Sequence, residues 1–241
     1  RMAQEEDYEL FPLPKQAGGT GSVLTAAALI PMAVAGMDPV DVLEGAVEGY
    51  KSMDIRSFEN PAWLYAAARH VLSGKGRTRE LMCYTDKSFD SFCRWWQYHA
   101  WRHESGVRPD AVLLPEGMRA LDALAQSDPA VFETVLWFEP STRKIPVEMD
   151  WKDYDGLGFL SGRTLDETET ALREAMVLQH NDMGVPIVEL QCGELTAVAV
   201  GELFYLFELA SALTAAMSGR DPFTPLPCPS REAVLEHLHR M

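Results

Sequence analysis

The first residues whose types and spacing could do chemistry are Gly18, Gly19, Thr20, Gly21 and Ser22. They lie between an apolar stretch, Tyr8 to Leu13, and the small-residue run Val23 to Ala35. Glycines permit positive φ and close backbone approach, and the free N–H groups opening a helix attract negative charge. A strand, a glycine turn and a helix in that order suit an anionic group. The same residues also fit a plain strand-to-helix turn with a buried alanine-rich helix behind it, because paired glycines alone are weak evidence for a ligand.

A second group is His99, His103 and Glu104. Histidines four apart share a helix face and imidazole is a zinc ligand. No third ligand is evident and the order is not His-Glu-x-x-His, so no metal site is expected. Trp95, Trp96 and Trp101 in the same stretch read as packing residues. His180, in His-Asn-Asp-Met-Gly before an apolar run, reads as a structural cap rather than a catalytic group. There is no P-loop, no G-x-G-x-x-G after a strand and no nucleophile elbow, and no cofactor is expected.

The elements that must position these residues follow from patterning. Asp38-Pro39 and Asn60-Pro61 each pair an N-cap with a proline at the first helical position. Helices are expected over Ser22–Ala35, from Asp38 to about Lys51, and over Pro61–Ser73. From Arg77 strands and helices alternate. Strands are expected at Thr78–Tyr84, Ala111–Leu114, Phe132–Phe138, Lys144–Met149 and Val185–Leu190. Helices are expected at Phe89–His103, Met118–Gln126, from a Thr164/Glu167 capping box to about His180, and at Thr196–Met217. Continuous apolar strands separated by helices indicate a parallel sheet covered on both faces. The expected fold is a three-layer α/β/α sandwich with a five-stranded, mainly parallel sheet, preceded by an N-terminal strand and a helical lead-in.

Composition narrows the function classes. The chain has 241 residues, 47% hydrophobic and 24% charged, enough for a full core. Its net charge of −15 argues against a nucleic-acid partner, which needs clustered Lys and Arg. The four cysteines, Cys83, Cys93, Cys192 and Cys228, show no C-x-x-C spacing, and three lie in apolar patterns. That suits reduced, buried thiols and a cytoplasmic setting. The long apolar segments Ser22–Met37 and Thr196–Met217 read as core helices, the first too short to span a bilayer and the second carrying Glu202 and Glu208, so no membrane partner is expected. No signal peptide, internal repeat or low-complexity tract is apparent.

Several of these stretches resemble the glucose-6-phosphate isomerase family. Gly18-Gly19, Ser22-Val23-Leu24-Thr25, Ala35-Gly36 and Asp38 fit its first signature. Asn60-Pro61-Ala62 with Tyr65-Ala66-Ala67, Trp95-Trp96, Phe132 to Trp137, His180-x-Asp182-x-Gly184-Val185-Pro186 and Asp221-Pro222-Phe223 follow in the family's order. The resemblance runs from about Tyr8 to Phe223. It implies the second sugar-isomerase domain at 77–223, the end of the first domain and a linker at 1–76, and a tail with a short helix at 224–241. The first sugar-isomerase domain has no counterpart here, and Arg1 in place of an initiator methionine suggests a fragment or processed chain.

The resemblance implies aldose–ketose isomerisation of glucose 6-phosphate and fructose 6-phosphate through an enediol, a step of glycolysis and gluconeogenesis. It implies Glu104 as the carboxylate base and Gly18, Gly19, Thr20 and Ser22 as substrate-binding residues. Thr20 stands where the family has an arginine, Met118 where it has the ring-opening histidine, Asp122 where it has a glutamine, and Glu232 where it has a lysine. Loss of one oxyanion donor costs about 10²–10³ in turnover and loss of a general acid–base group about 10²–10⁴. The chain alone is therefore expected to be inactive. Its expected partners are a sugar phosphate, the missing N-terminal domain and a second copy in a homodimer, with residues 8–35 in the contact. The alternative is a catalytically degenerate module that binds a sugar phosphate or regulates.

Overall fold

A computed structural model describes residues 2–14, 19–103, 106–140, 144–148, 152–224 and 229–240. A short helix, α1 (Met2–Glu5), leads into Tyr8–Leu13, which is not the expected strand. It pairs with no strand among the described residues, and Tyr8, Leu10, Phe11 and Leu13 are all exposed. Pro12 and Pro14 remove two of the N–H groups a ladder would need. A 3₁₀ turn, Gly19–Ser22, follows. Helix α2 (Ala26–Val34) starts later than expected because Thr25 caps it, its hydroxyl accepting from Ala27 N at 3.4 Å and donating to Ser22 O at 2.7 Å. No residue of α2 is fully buried, which corrects the reading of it as a buried helix.

The two Asx-Pro starts form as patterned. Asp38 caps α3 (Pro39–Met53) by accepting from Val40 N at 2.8 Å. Asn60 caps α4 (Pro61–Gly74), accepting from Ala62 N and Trp63 N. Its amide also donates to Ile55 O at 2.9 Å, which fixes the α3–α4 connection.

The alternating part runs β1 (Arg79–Tyr84), α5 (Asp90–His103), β2 (Arg108–Leu113), α6 (Met118–Ser127), β3 (Val131–Phe138), α7 (Leu165–Asp182), β4 (Ile187–Cys192) and α8 (Ala197–Met217). A last helix, α9 (Pro229–Arg240), closes the chain. The sheet has four strands in the order β2-β1-β3-β4, every neighbouring pair parallel. The expected fifth strand, Lys144–Met149, does not join it. Its described residues make a local antiparallel bridge, Pro146 to Thr164, with Val147 N donating to Arg163 O at 2.8 Å. Proline in mid-stretch cannot donate to a ladder, so the segment folds back within the β3–α7 connection.

Side-chain alternation sorts the core into two layers. Met82, Tyr84 and Leu136 pack with α4, α5 and α8 through Tyr65, Phe92, Trp96, Phe204 and Phe207. Leu81, Cys83, Val131 and Val135 pack on the other face with Leu121 of α6 and Met176 of α7. The sandwich is therefore three-layered as expected, and α3 adds an outer helix lying along α8. Helix α8 is long and apolar enough to cross a bilayer by length and composition, yet here it packs under α3, α4 and α5.

Candidate functional site

The family-derived site residues meet the structure at the turn before α2 and at the end of α5. Glu104 and Gly18 lie outside the described residues, and of the Gly19 and Thr20 positions only the backbone turn is described. That turn packs against α5, the helix that runs into Glu104. Ser22 is half-buried at the end of the turn, where its carbonyl takes both the hydroxyl and the amide of Thr25. A Cβ placed on Gly21 would meet nothing within 4 Å, so this glycine leaves open space rather than relieving a clash. After α5, Gly106 takes φ +95°, a conformation glycine adopts cheaply, and its carbonyl accepts from Ser73 Oγ at 3.1 Å. Arg108 N then donates to Thr78 O at 2.7 Å, so β2 starts level with β1 at the N-terminal edge of the sheet.

The other sequence candidates take structural positions. His99 is buried and stacks on Trp95, with ring centroids 5.3 Å apart and planes at 24°. Among the described residues no group of three or more His, Cys, Asp or Glu side chains is arranged to hold a metal ion. Met118 packs against the cluster around Leu121 on the α6–α7 face, so its side chain belongs to that core.

At the opposite edge of the sheet, β1 and β3 are adjacent while their connections leave in opposite directions. Ligands of open α/β sheets bind at such a switch point, beyond the carboxyl ends of the strands. A crevice of about 420 Å³ lies there, with walls including Phe138 and Leu195 and an acidic lining that includes Asp86, Glu139, Glu169 and Glu194. Lys87 is its one cationic residue among the described ones, 3.9 Å from Glu116, which lies outside the lining. Such a surface repels a phosphate. The sequence reading missed this crevice. The signal was available: Asp86, Glu139 and Glu194 each follow a strand end by one or two residues.

Two buried carboxylates were also missed, one on each face. Glu80 accepts from Tyr65 Oη (2.6 Å), Arg69 Nε (2.7 Å) and Thr134 Oγ1 (2.6 Å). Glu133 faces the other way and binds His180 Nδ1 through both oxygens, at 2.8 and 2.9 Å. The Nε2 of the same imidazole lies 3.1 Å from Asp122 Oδ1. His180 is fully buried, so it is more than a turn cap. It joins β3 to α6 and α7. On α8, burial pushes the Glu208 carboxyl up to about 7.

The thiols are built for inertness. Cys83 and Cys93 are buried and Cys192 is half-buried, all three free. Burial pushes Cys93 and Cys192 up to about 12, and Cys83 well above its ordinary value. Because the thiolate is the reactive form, these three are expected to resist a disulfide reagent at pH 8 in the native chain and to react at once in denaturant. Fast native reaction of more than one of the four cysteines would contradict this packing.

No family model matches the chain. A glucose-6-phosphate isomerase of Bacillus cytotoxicus is 33% identical over 228 residues, 92% of this chain and 51% of that protein. One from Bacillus cereus strain B4264 matches with the same identity and the same coverage. The chain thus spans about half the length of the curated relatives it matches. Among solved structures, a hypothetical protein of Thermus thermophilus aligns with a TM-score of 0.87 at 20% identity, covering 99% of this chain and 59% of that one. A glucose-6-phosphate isomerase of Chlamydia trachomatis aligns with a TM-score of 0.74 at 13% identity, covering all of this chain and 50% of its own. At those identities the two structures speak for the fold.

Proposed function

We propose that this chain, homologous to one half of the glucose-6-phosphate isomerases, is the half that carries the proton-transferring carboxylate. In this reading Glu104 moves a proton between C1 and C2 of a sugar 6-phosphate through an enediol, in the cytoplasmic reactions of glycolysis and gluconeogenesis. The phosphate is held by the family's first sugar-isomerase domain, supplied by residues outside this chain or by another polypeptide. The observation that carries the reading is the packing of the Gly19–Ser22 turn against α5, the helix leading to Glu104. The turn belongs to the family's first signature, with Thr20 in place of its arginine, and α5 leads to the position of its carboxylate base. The acidic lining of the switch-point crevice supports the division of labour, since that crevice is unsuited to a phosphate.

The test is a coupled assay for fructose 6-phosphate formation. Alone, the chain is expected to turn over below about 1 s⁻¹, the low end of enzymes. Joined to the N-terminal half of the Bacillus cytotoxicus isomerase, it is expected to gain activity, which Glu104→Gln lowers by about 10²–10⁴. Full activity in the joined Glu104→Gln protein would remove Glu104 from the role.

A second reading is a sugar-phosphate-binding or regulatory module without turnover. The packing of Met118 into the α6–α7 core favours it, because that position then offers no ring-opening group. Binding of glucose 6-phosphate by the joined protein with no isomerisation would select it.

A further inference from the structure

Helix α6 is lightly held. Leu121 is its one fully buried side chain, and Gly117 at its N-cap makes no side-chain hydrogen bond. Its polar tie to the rest of the domain is Asp122, which is 37% exposed and lies 3.1 Å from His180 Nε2. The other nitrogen of that ring lies 2.8 Å from Glu133, and both His180 and Glu133 are fully buried. A neutral imidazole has one N–H, and an imidazolium has two. With Glu133 and Asp122 both ionised, each ring nitrogen must donate, so the arrangement is complete only when the ring carries its second proton. Burial pushes the Glu133 carboxyl up, and the hydrogen bond and charge of His180 act against that.

We propose that the second proton on His180 is a latch that holds α6 on the sheet, and that its loss frees Asp122 and lets α6 open. The order of release follows from burial. Glu133 has no access to water and keeps the remaining N–H at Nδ1, because an unpaired buried carboxylate is the costlier outcome. Asp122 reaches solvent and is the partner given up.

The charges that act on His180 are Glu133 from β3 and Asp122 from α6. Cys83 of β1 acts electrostatically with Glu133 and is a neutral thiol. The guanidinium of Arg77 is engaged with the carbonyls of Val131 and Gly184. Arg173 of α7 is also buried in this layer, its guanidinium over the Trp137 ring and 3.5 Å from Glu189. Neighbours such as Leu81, Val135 and Met176 are apolar. Burial pushes His180 down, but the hydrogen bonds and charges of the two carboxylates push it up, and the net direction is up. A histidine raised in the folded state contributes stability that is fully present below its unfolded value, about 6.5, and is lost as pH rises through the folded value. The latch is therefore closed below the unfolded value and opens as pH rises through the raised folded one.

Amide hydrogen exchange, corrected for intrinsic pH dependence, reads α6 separately from β3. In the native chain, α6 protection is expected to fall about 10-fold or more between pH 6.5 and pH 9, while β3 stays protected. Asp122→Ala should bring α6 at pH 6.5 to that same low level and make it independent of pH. Asp122 is partly exposed, so this variant is expected to fold, whereas replacing His180 would strand Glu133. Nitrogen-15 spectra of the His180 ring supply the second readout: both nitrogens protonated at pH 6.5, and a lower titration midpoint in Asp122→Ala. Equal α6 protection at both pH values, an unchanged α6 in Asp122→Ala, or a singly protonated ring at pH 6.5 would each overturn the latch.

Discussion

Replacing Glu80 by alanine is expected to lower the unfolding free energy by about 3–5 kcal/mol, the usual cost of removing one partner from a buried ion pair. Glu80 is fully buried, and Arg69 is 1% exposed with its Nε 2.7 Å from the carboxylate. Tyr65 and Thr134 donate to the same carboxylate, so one side chain of β1 gathers groups from α4 and β3. Arg69 also lies over the Tyr65 ring, 5.2 Å from its centroid. Deleting the carboxylate removes the partner that lies 2.7 Å from a buried guanidinium. Glu80→Gln keeps an acceptor and should cost less. A double replacement, Glu80→Met with Arg69→Met, should recover much of the loss, because an apolar pair avoids the desolvation that the charges incur. Urea unfolding with an unchanged slope measures all three. A Glu80→Ala cost below about 1 kcal/mol would mean that the network does not fasten α4 to the sheet.

The layers were legible in the sequence because local chemistry and tertiary structure agree there. Asp38 and Asn60 before prolines, and Thr164 with Glu167, mark helix starts that form with the hydrogen bonds the pattern promises. The apolar runs of β1 and β3 became central strands because both faces are covered. The two strand expectations that failed share one cause. Tyr8–Leu13 and Lys144–Met149 are apolar enough for a strand, but Pro12 and Pro146 break the donor row. Patterning weighs burial of side chains and overlooks the missing N–H.

The site was legible to a different degree. Resemblance pointed to Glu104 and to the turn at 18–22, whose Gly19–Ser22 part packs against α5. The acidic crevice and the two buried carboxylates were not foreseen. Glu80 and Glu133 sit in strands whose neighbours are apolar, and no single stretch of sequence shows that a tyrosine fifteen residues away or a histidine forty-seven residues away will meet them. Partners of that kind are set by which face each strand residue takes and which helix covers it. The sequence pattern implies the first and leaves the second open.

A close approach of two helices supplies the last large effect. Gly45 of α3 and Gly201 of α8 form a reciprocal notch. A Cβ on Gly201 would lie 2.0 Å from Val42 O, and one on Gly45 would lie 1.8 Å from Val198 O. Both obstacles are backbone, which cannot swing aside like the end of a side chain. Gly201→Ala must therefore push α3 off α8 by about an ångström, loosening an interface that includes Val42, Leu203 and the edge-on contact of Tyr50 with Tyr205. Overpacking ordinarily costs about 1–3 kcal/mol, and occasionally more. A clash with main chain is expected at about 3 kcal/mol, a fall in Tm of about 6–12 °C for a domain of this size. Gly74→Ala is the control: it ends α4 with nothing within 4 Å of the added carbon, and should be neutral or slightly stabilising. Gly45→Ala should resemble Gly201→Ala, and the two together should cost less than their sum, because the first already opens the space the second needs. A Gly201→Ala protein as stable as the native one would show that α3 does not lie this close to α8. The outer helix would then be held by its exposed apolar side chains finding another surface rather than by this notch.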